Sequence, residues 1–167
     1  MRRINVLIVF CCLLSSVAFA QTPQHLKVFG VSMGETRGNF EKKVKESGCK
    51  LCDSECDFRI NPYSGSGKEK SDSDLVWHVE VSTPTTFLGF QYHYAIREAL
   101  ISKYGTPSNY YHNDVSSTTY TDYYEWYTNL GHITLKFECE KGNCHAVLGF
   151  FDKDNIKKVW SAEIKNM

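Results

Sequence analysis

The sequence predicts an α+β protein, an antiparallel sheet of about five to six strands with helices packed on one face. Three observations lead there. Apolar and polar residues alternate in "DLVWHVEVS" and "HITLKFEC", the period of a half-buried strand. Two other stretches space apolar residues three and four apart between helix start and stop signals. From Ser117 onward, turn-forming clusters separate short strand-like runs, the pattern of a meander whose neighbours pair antiparallel.

In chain order, "LKVFGVSMG" reads as a first strand through Leu26 and Val28, ending at Gly34. A helix follows, with Thr36 as cap, Phe40 and Val44 on one face, and Gly48 placed to end it in a left-handed conformation. "CDFRINPY" suggests a short edge strand broken by Pro62, and "SGSGKEKSDSD" a polar loop. In "DLVWHVEVS" the alternation sets Leu75, Trp77, Val79 and Val81 against His78 and Glu80. A second helix is expected from Thr83 as N-cap and Pro84 at its first position to a stop at Gly105 and Pro107, with Leu88, Tyr92, Ile96, Ala99 and Leu100 buried.

In "TTYTDYYEWYTN", Trp126, Tyr120 and Tyr124 are core candidates, which forces Tyr123 and Tyr127 onto the other face. A turn at Asn129 to Gly131 leads to a strand with Ile133, Leu135, Phe137 and Cys139 facing one way, then the turn "EKGN" and "CHAVLGFF". A last helix carries Ile156, Val159, Trp160 and Ile164 on one face, with Asp154 as a possible cap.

The start of the chain bears on compartment. Arg2 and Arg3 precede an apolar run from Val6 to Leu14, and Ala18-Phe19-Ala20 has small residues where a signal peptidase inspects them. Residues 1-20 are expected to be a signal peptide cleaved after Ala20, leaving residues 21-167 as one secreted or periplasmic domain. The run is too short to span a bilayer and no lipobox precedes Cys11, so no membrane anchor is expected. Cleavage removes two arginines and no acid, taking the formal net charge from zero to −2. A weakly acidic surface does not suit nucleic acid. No Asn-x-Ser/Thr sequon occurs, in keeping with a bacterial origin.

Cys49, Cys52 and Cys56 crowd into eight residues, and Cys139 and Cys144 flank the turn "EKGN". The last two face each other across a hairpin on the same side, where a disulfide fits. Cys49 and Cys52 have the spacing of a redox couple, but such a couple needs its thiolate at a helix N-terminus. Cys49 follows a predicted helix C-terminus, and Asp53, Glu55 and Asp57 oppose ionisation further. A four-thiolate zinc site from Cys49, Cys52, Cys139 and Cys144 is conceivable, yet an oxidising compartment favours disulfides among the five mature cysteines. No metal or cofactor is expected.

None of the six histidines has ligand spacing, and no G-x-S-x-G nucleophile motif occurs. His78 and Glu80 share a strand face, as an acid/base pair or a solvated contact. Cys144 and His145 point to opposite faces, which argues against a thiol-imidazole dyad. Tyrosines are abundant instead: Tyr110, Tyr111, Tyr123 and Tyr127 form the candidate binding surface, since exposed aromatics bury much area with few rotors. The expected function is non-enzymatic protein binding. The alternatives are carbohydrate binding by the same rings, thiol-redox chemistry on Cys49 and Cys52, or tyrosines that merely cover a second layer.

"VFGVSMGETRGNFEKKVKESG" resembles the entry motif of small secreted bacterial modules, a strand ending in glycine that leads into a short helix. "ALISKYGTP", Trp126, "GHITL" and "GFFDKDN" are similar to their second half. These are the β-lactamase-inhibitory-protein-like modules and their outer-membrane-assembly-lipoprotein-like relatives. Over residues 26 to 160 the resemblance implies helices on one face of a sheet and a protein partner on the other. The cysteines fall outside that pattern.

Overall fold

The first apolar run folds back on itself instead of forming one strand. In the computed structural model, which describes residues 24–47, 59–65, 74–83, 85 and 89–165, β1 (Lys27–Val28) and β2 (Val31–Ser32) pair antiparallel around Phe29-Gly30. Both turn residues have positive φ, 50° and 81°, as a two-residue hairpin turn of the right twist requires. Helix α1 (Arg37–Glu46) follows, with Thr36 at the N-cap in extended conformation but making no side-chain capping bond. It closes at Ser47 with φ −74°, not in the left-handed region; Gly48 lies outside the described residues.

Six strands make the main sheet: β3 (Arg59–Ser64), β4 (Val76–Ser82), β5 (Asn109–Ser116), β6 (Thr119–Tyr127), β7 (Gly131–Glu140) and β8 (Asn143–Asp152). Their order is β3-β4-β8-β7-β6-β5 and every neighbouring pair is antiparallel. With α2 (Gly89–Tyr104) and α3 (Lys153–Lys165), the described residues form two antiparallel sheets and three helices, an α+β fold. Alternation in β6 and β7 buries Tyr124, Trp126, Ile133, Leu135 and Phe137. Phe40 and Val44 of α1 and Leu100 of α2 join the same cluster.

Several elements depart from the sequence pattern, each for a local reason. Pro62 does not break β3; it sits inside this border strand, opposite Val79, where a missing N–H need cost no ladder bond. In β4 the register shifts beside Tyr63, which pairs with His78 while Ser64 pairs with Val76. The extra residue reverses the alternation, so Val76 is buried and Trp77 turns to the other face. Thr83 does not cap α2. It continues the pairing with β8, its N–H donating to Ala146 O and its Oγ1 accepting from Ala146 N, both at 2.9 Å.

In α2, Ile96 and Leu100 turn inward, Ala99 is exposed, and His93 is buried with its ring stacked on Phe137 at 4.0 Å. Leu88 and the Tyr92 side chain lie outside the described residues. The segment "NYYHNDVS", not expected as a strand, is β5. On α3, Ile156 and Val159 are half-buried, while Trp160 and Ile164 face solvent.

The cap of α3 is Asp152, not Asp154. Its carboxylate is fully buried and accepts from the N–H of Asn155 at 3.0 Å, three residues on, the geometry of an N-cap. The same carboxylate accepts from Leu26 N at 3.1 Å and meets His25 Nδ1 at 3.0 Å. The His25 ring in turn lies against Gly34, where any Cβ would come within 2.3 Å of it. Asn155, also fully buried, donates through Nδ2 to Met33 O and Val76 O, each at 2.8 Å. This knot ties the N-terminal hairpin, β4, β8 and α3 together.

Replacing Asn155 by Asp keeps the shape but turns oxygens toward two buried carbonyls. The expected loss is about 2–4 kcal/mol, because two acceptors lose their donor. Urea unfolding of Asn155→Asp against the parent measures it, and an unchanged midpoint would refute the assignment.

Candidate functional site

Alternation along β6 leaves Thr121, Tyr123, Glu125 and Tyr127 on the face opposite the core residues Tyr124 and Trp126. On this outer face one cross-strand row is filled entirely by rings. Tyr63 of β3 pairs with His78 of β4, His78 with Phe151 of β8, Phe151 with His132 of β7, and His132 with Tyr127 of β6. The successive ring centroids are 4.6, 4.1, 5.5 and 4.6 Å apart and the planes lie within 24° of parallel. Five stacked rings on five adjacent strands span roughly 19 Å, from strand spacing. Trp77, turned outward by the bulge, flanks the row 5.6 Å from His78 and donates through Nε1 to Gly65 O at 3.2 Å.

The Tyr127 end carries a polar network centred on Glu125. Its carboxylate accepts from Asn109 Nδ2 at 2.8 Å and from the Tyr127 hydroxyl at 3.3 Å, and His132 Nε2 approaches to 3.5 Å. The Asn109 hydrogen bond holds this carboxyl below its usual range despite partial desolvation. Tyr123 is half-buried beside it, with its hydroxyl raised by burial and then by the Glu125 charge. Tyr111 of β5 lies 6.2 Å from Tyr123 and is 59% exposed; Tyr127 is 60% exposed. Tyr111, Tyr123 and Tyr127 therefore share one surface.

Tyr110 does not belong to it. It pairs with Tyr124, stacks on that ring at 4.7 Å and donates to Asp122 Oδ1 at 2.9 Å, all on the other side of the sheet. There His112 is held between Asp122 at 2.6 Å and Asp114 at 3.0 Å. The Asp122 hydrogen bond, then that of Asp114, raises its pKa.

The rings of the row were not legible as a site because they come from five separate segments. His78 was paired in sequence with Glu80, but its ring is sandwiched between Tyr63 and Phe151. Burial pushes it down to about 4. A base so weak and so enclosed has little acid/base use at neutral pH. His145 lies across the strand from Cys144, contacting Glu138 at 3.3 Å.

Cys139 and Cys144 form a disulfide with Cα atoms 4.1 Å apart. They sit directly opposite one another, and the turn between the strands is the two residues Lys141-Gly142, tighter than the four expected. That spacing makes them a non-hydrogen-bonded pair, the closer of the two cross-strand types. With both sulfurs in one bond, the four-thiolate zinc site is not built. Cys49, Cys52 and Cys56 lie outside the described residues.

Beside the disulfide, Thr85, Thr121, Glu138, Lys141 and His145 help line a polar depression of about 590 Å³. Among the described residues no three His, Cys, Asp or Glu side chains are placed to hold a metal ion, and no helix is long and apolar enough to cross a membrane. Comparison with protein-family models, curated proteins and solved structures finds no match.

The depressed His78 has a pH consequence. Between about pH 6.5 and pH 4 the unfolded chain protonates this ring while the folded chain does not, so stability falls as pH drops through that window. His93, also lowered by burial, acts in the same direction. Thermal melts at pH 7 and pH 4.5 should show a smaller loss for His78→Phe, which keeps the stack without the proton. Equal losses in both proteins would contradict this.

Proposed function

We infer that the chain is a non-enzymatic protein-binding module, exported and cleaved after Ala20, whose outer sheet face receives the partner. In this reading the helices close the core face of the six-stranded sheet and leave the ring row and its Tyr127 end for contact. The observation that carries it is the adjoining set Tyr111, Tyr123 and Tyr127, two of them largely exposed, braced by Glu125 and continuous with five stacked rings. Rigid aromatics beside fixed polar groups bury area on binding with little loss of rotamer freedom.

Protein suits this surface better than sugar. A sugar platform offers ring faces, whereas the inner rings of this row spend their faces on one another and turn their edges outward. The resemblance to β-lactamase-inhibitory-protein-like modules agrees with partner capture by the sheet. The thiol-redox reading rests on Cys49 and Cys52, which lie outside the described residues; Cys139 and Cys144 are already bonded to each other.

Tyr123→Ala with Tyr127→Ala is expected to abolish partner capture by the tagged protein in its own host's extracytoplasmic fraction while the circular dichroism spectrum is preserved. Cys49→Ser with Cys52→Ser should leave capture intact. Capture unaffected by the tyrosine pair, or retention on glycans instead of protein, would overturn the reading. N-terminal sequencing of the exported protein should begin at Gln21.

A further inference from the structure

We propose that β5 is a self-recognition edge: two copies of this chain pair antiparallel through β5 about a two-fold axis at Asn113, merging their six-stranded sheets into one. β5 is a border of the sheet, with β6 on one side and no strand on the other among the described residues. A border strand invites another strand unless proline, lysine, a bulge or a covering element guards it. The two borders of this sheet differ in that respect. β3 contains Arg59 and Pro62 within its paired length, whereas the one irregularity of β5, at Val115, lies near its end and leaves Asn109 to Asp114 in regular register. β5 has no proline, lysine or arginine, and every residue from Tyr110 to Ser116 is exposed.

The edge is also held ready. Tyr110 is stacked on Tyr124 and bonded to Asp122, and His112 is fastened by Asp122 and Asp114. Ordering that strand therefore adds little to the cost of association.

A second copy fits because the strand is nearly complementary to itself. In a two-fold antiparallel pair, opposed residues share a face and each contact occurs twice. Centred on Asn113, Tyr111 opposes Val115 of the second copy and His112 opposes Asp114 of the second copy. Aromatic against β-branched and opposite charges are both favourable cross-strand pairs. Centring on His112 would set one imidazole against its copy. Val115 is 76% exposed, and the register between β5 and β6 passes over it, so it has no counterpart on β6. The inference does not depend on the outer-face reading, with which it shares only Tyr111.

Sedimentation equilibrium of the mature protein tests it, with non-reducing electrophoresis to recognise any covalent dimer. A concentration-dependent, non-covalent dimer is expected. Asn113→Lys sets two ammonium groups against each other at the axis and should abolish it, while Tyr123→Ala with Tyr127→Ala should not. A monomer at every soluble concentration, or a dimer indifferent to Asn113→Lys, overturns the proposal. Should that variant misfold, amide exchange of the parent decides: β5 amides slow as concentration rises if the edge pairs, and exchange equally at all concentrations if it does not.

Discussion

The fold depends on a buried polar knot where β8 passes into α3. Asp152 and Asn155 have no measurable exposure, and burying such groups is costly unless hydrogen bonds replace water. Here hydrogen bonds replace water at the carboxylate and at the amide nitrogen: Asp152 accepts from the N–H of Leu26 and of the first turn of α3, and Asn155 Nδ2 donates to the carbonyls of Met33 and Val76. These backbone groups come from three parts of the chain: the N-terminal hairpin (Leu26 and Met33), β4 (Val76) and the first turn of α3. Directional bonds at one point therefore fix where the N-terminal hairpin and the last helix sit relative to the sheet, which apolar packing, being non-directional, would leave looser.

From that anchoring the sheet acquires two chemically distinct faces. Strand geometry sends successive side chains to opposite sides, so β6 and β7 deliver Trp126, Ile133, Leu135 and Phe137 to the core. The same alternation commits Tyr127 and His132 to the outside, and cross-strand register stacks them with Phe151, His78 and Tyr63. Close approach of β7 and β8 at one end of the row is part of the arrangement: a Cβ at Gly131 would stand 2.0 Å from Phe151 O. The bulge in β4 contributes as well, because it keeps Val76 in the core while turning Trp77 toward the rings. Stability and the candidate contact surface thus arise from one register.

Charge is distributed unevenly across this scaffold. On the outer face Glu125 accepts from Asn109, which lowers its pKa, and from the Tyr127 hydroxyl. On the other side Asp122 anchors Tyr110 and His112 at the sheet border. Carboxylates thus fix aromatic side chains on β5 and β6 in place, Glu125 on the outer face and Asp122 with Asp114 at the border. The disulfide at the far end of β7 and β8 closes the hairpin in a third place.

Much of the architecture could be read directly from residues. Alternation in "HITLKFEC" and in "TTYTDYYEWYTN" placed the core and outer sides of β6 and β7, and set Cys139 against Cys144, because a period of two is a local property of the chain. Departures occurred where local preference met tertiary demand. β5 lacks an apolar side and becomes a strand only by pairing with β6. Thr83 has the chemistry of a cap but is claimed by Ala146, and Asp152 caps α3 because folding carries it to Leu26 and His25. The ring row is the extreme case. Its five members span residues 63 to 151, and only register, which long-range hydrogen bonding sets, brings them into one line. By itself the sequence determined which residues face which way along β6 and β7 and which thiols could meet; the tertiary structure alone decided that β4 lies between β3 and β8 and β5 beside β6, and with that which rings touch.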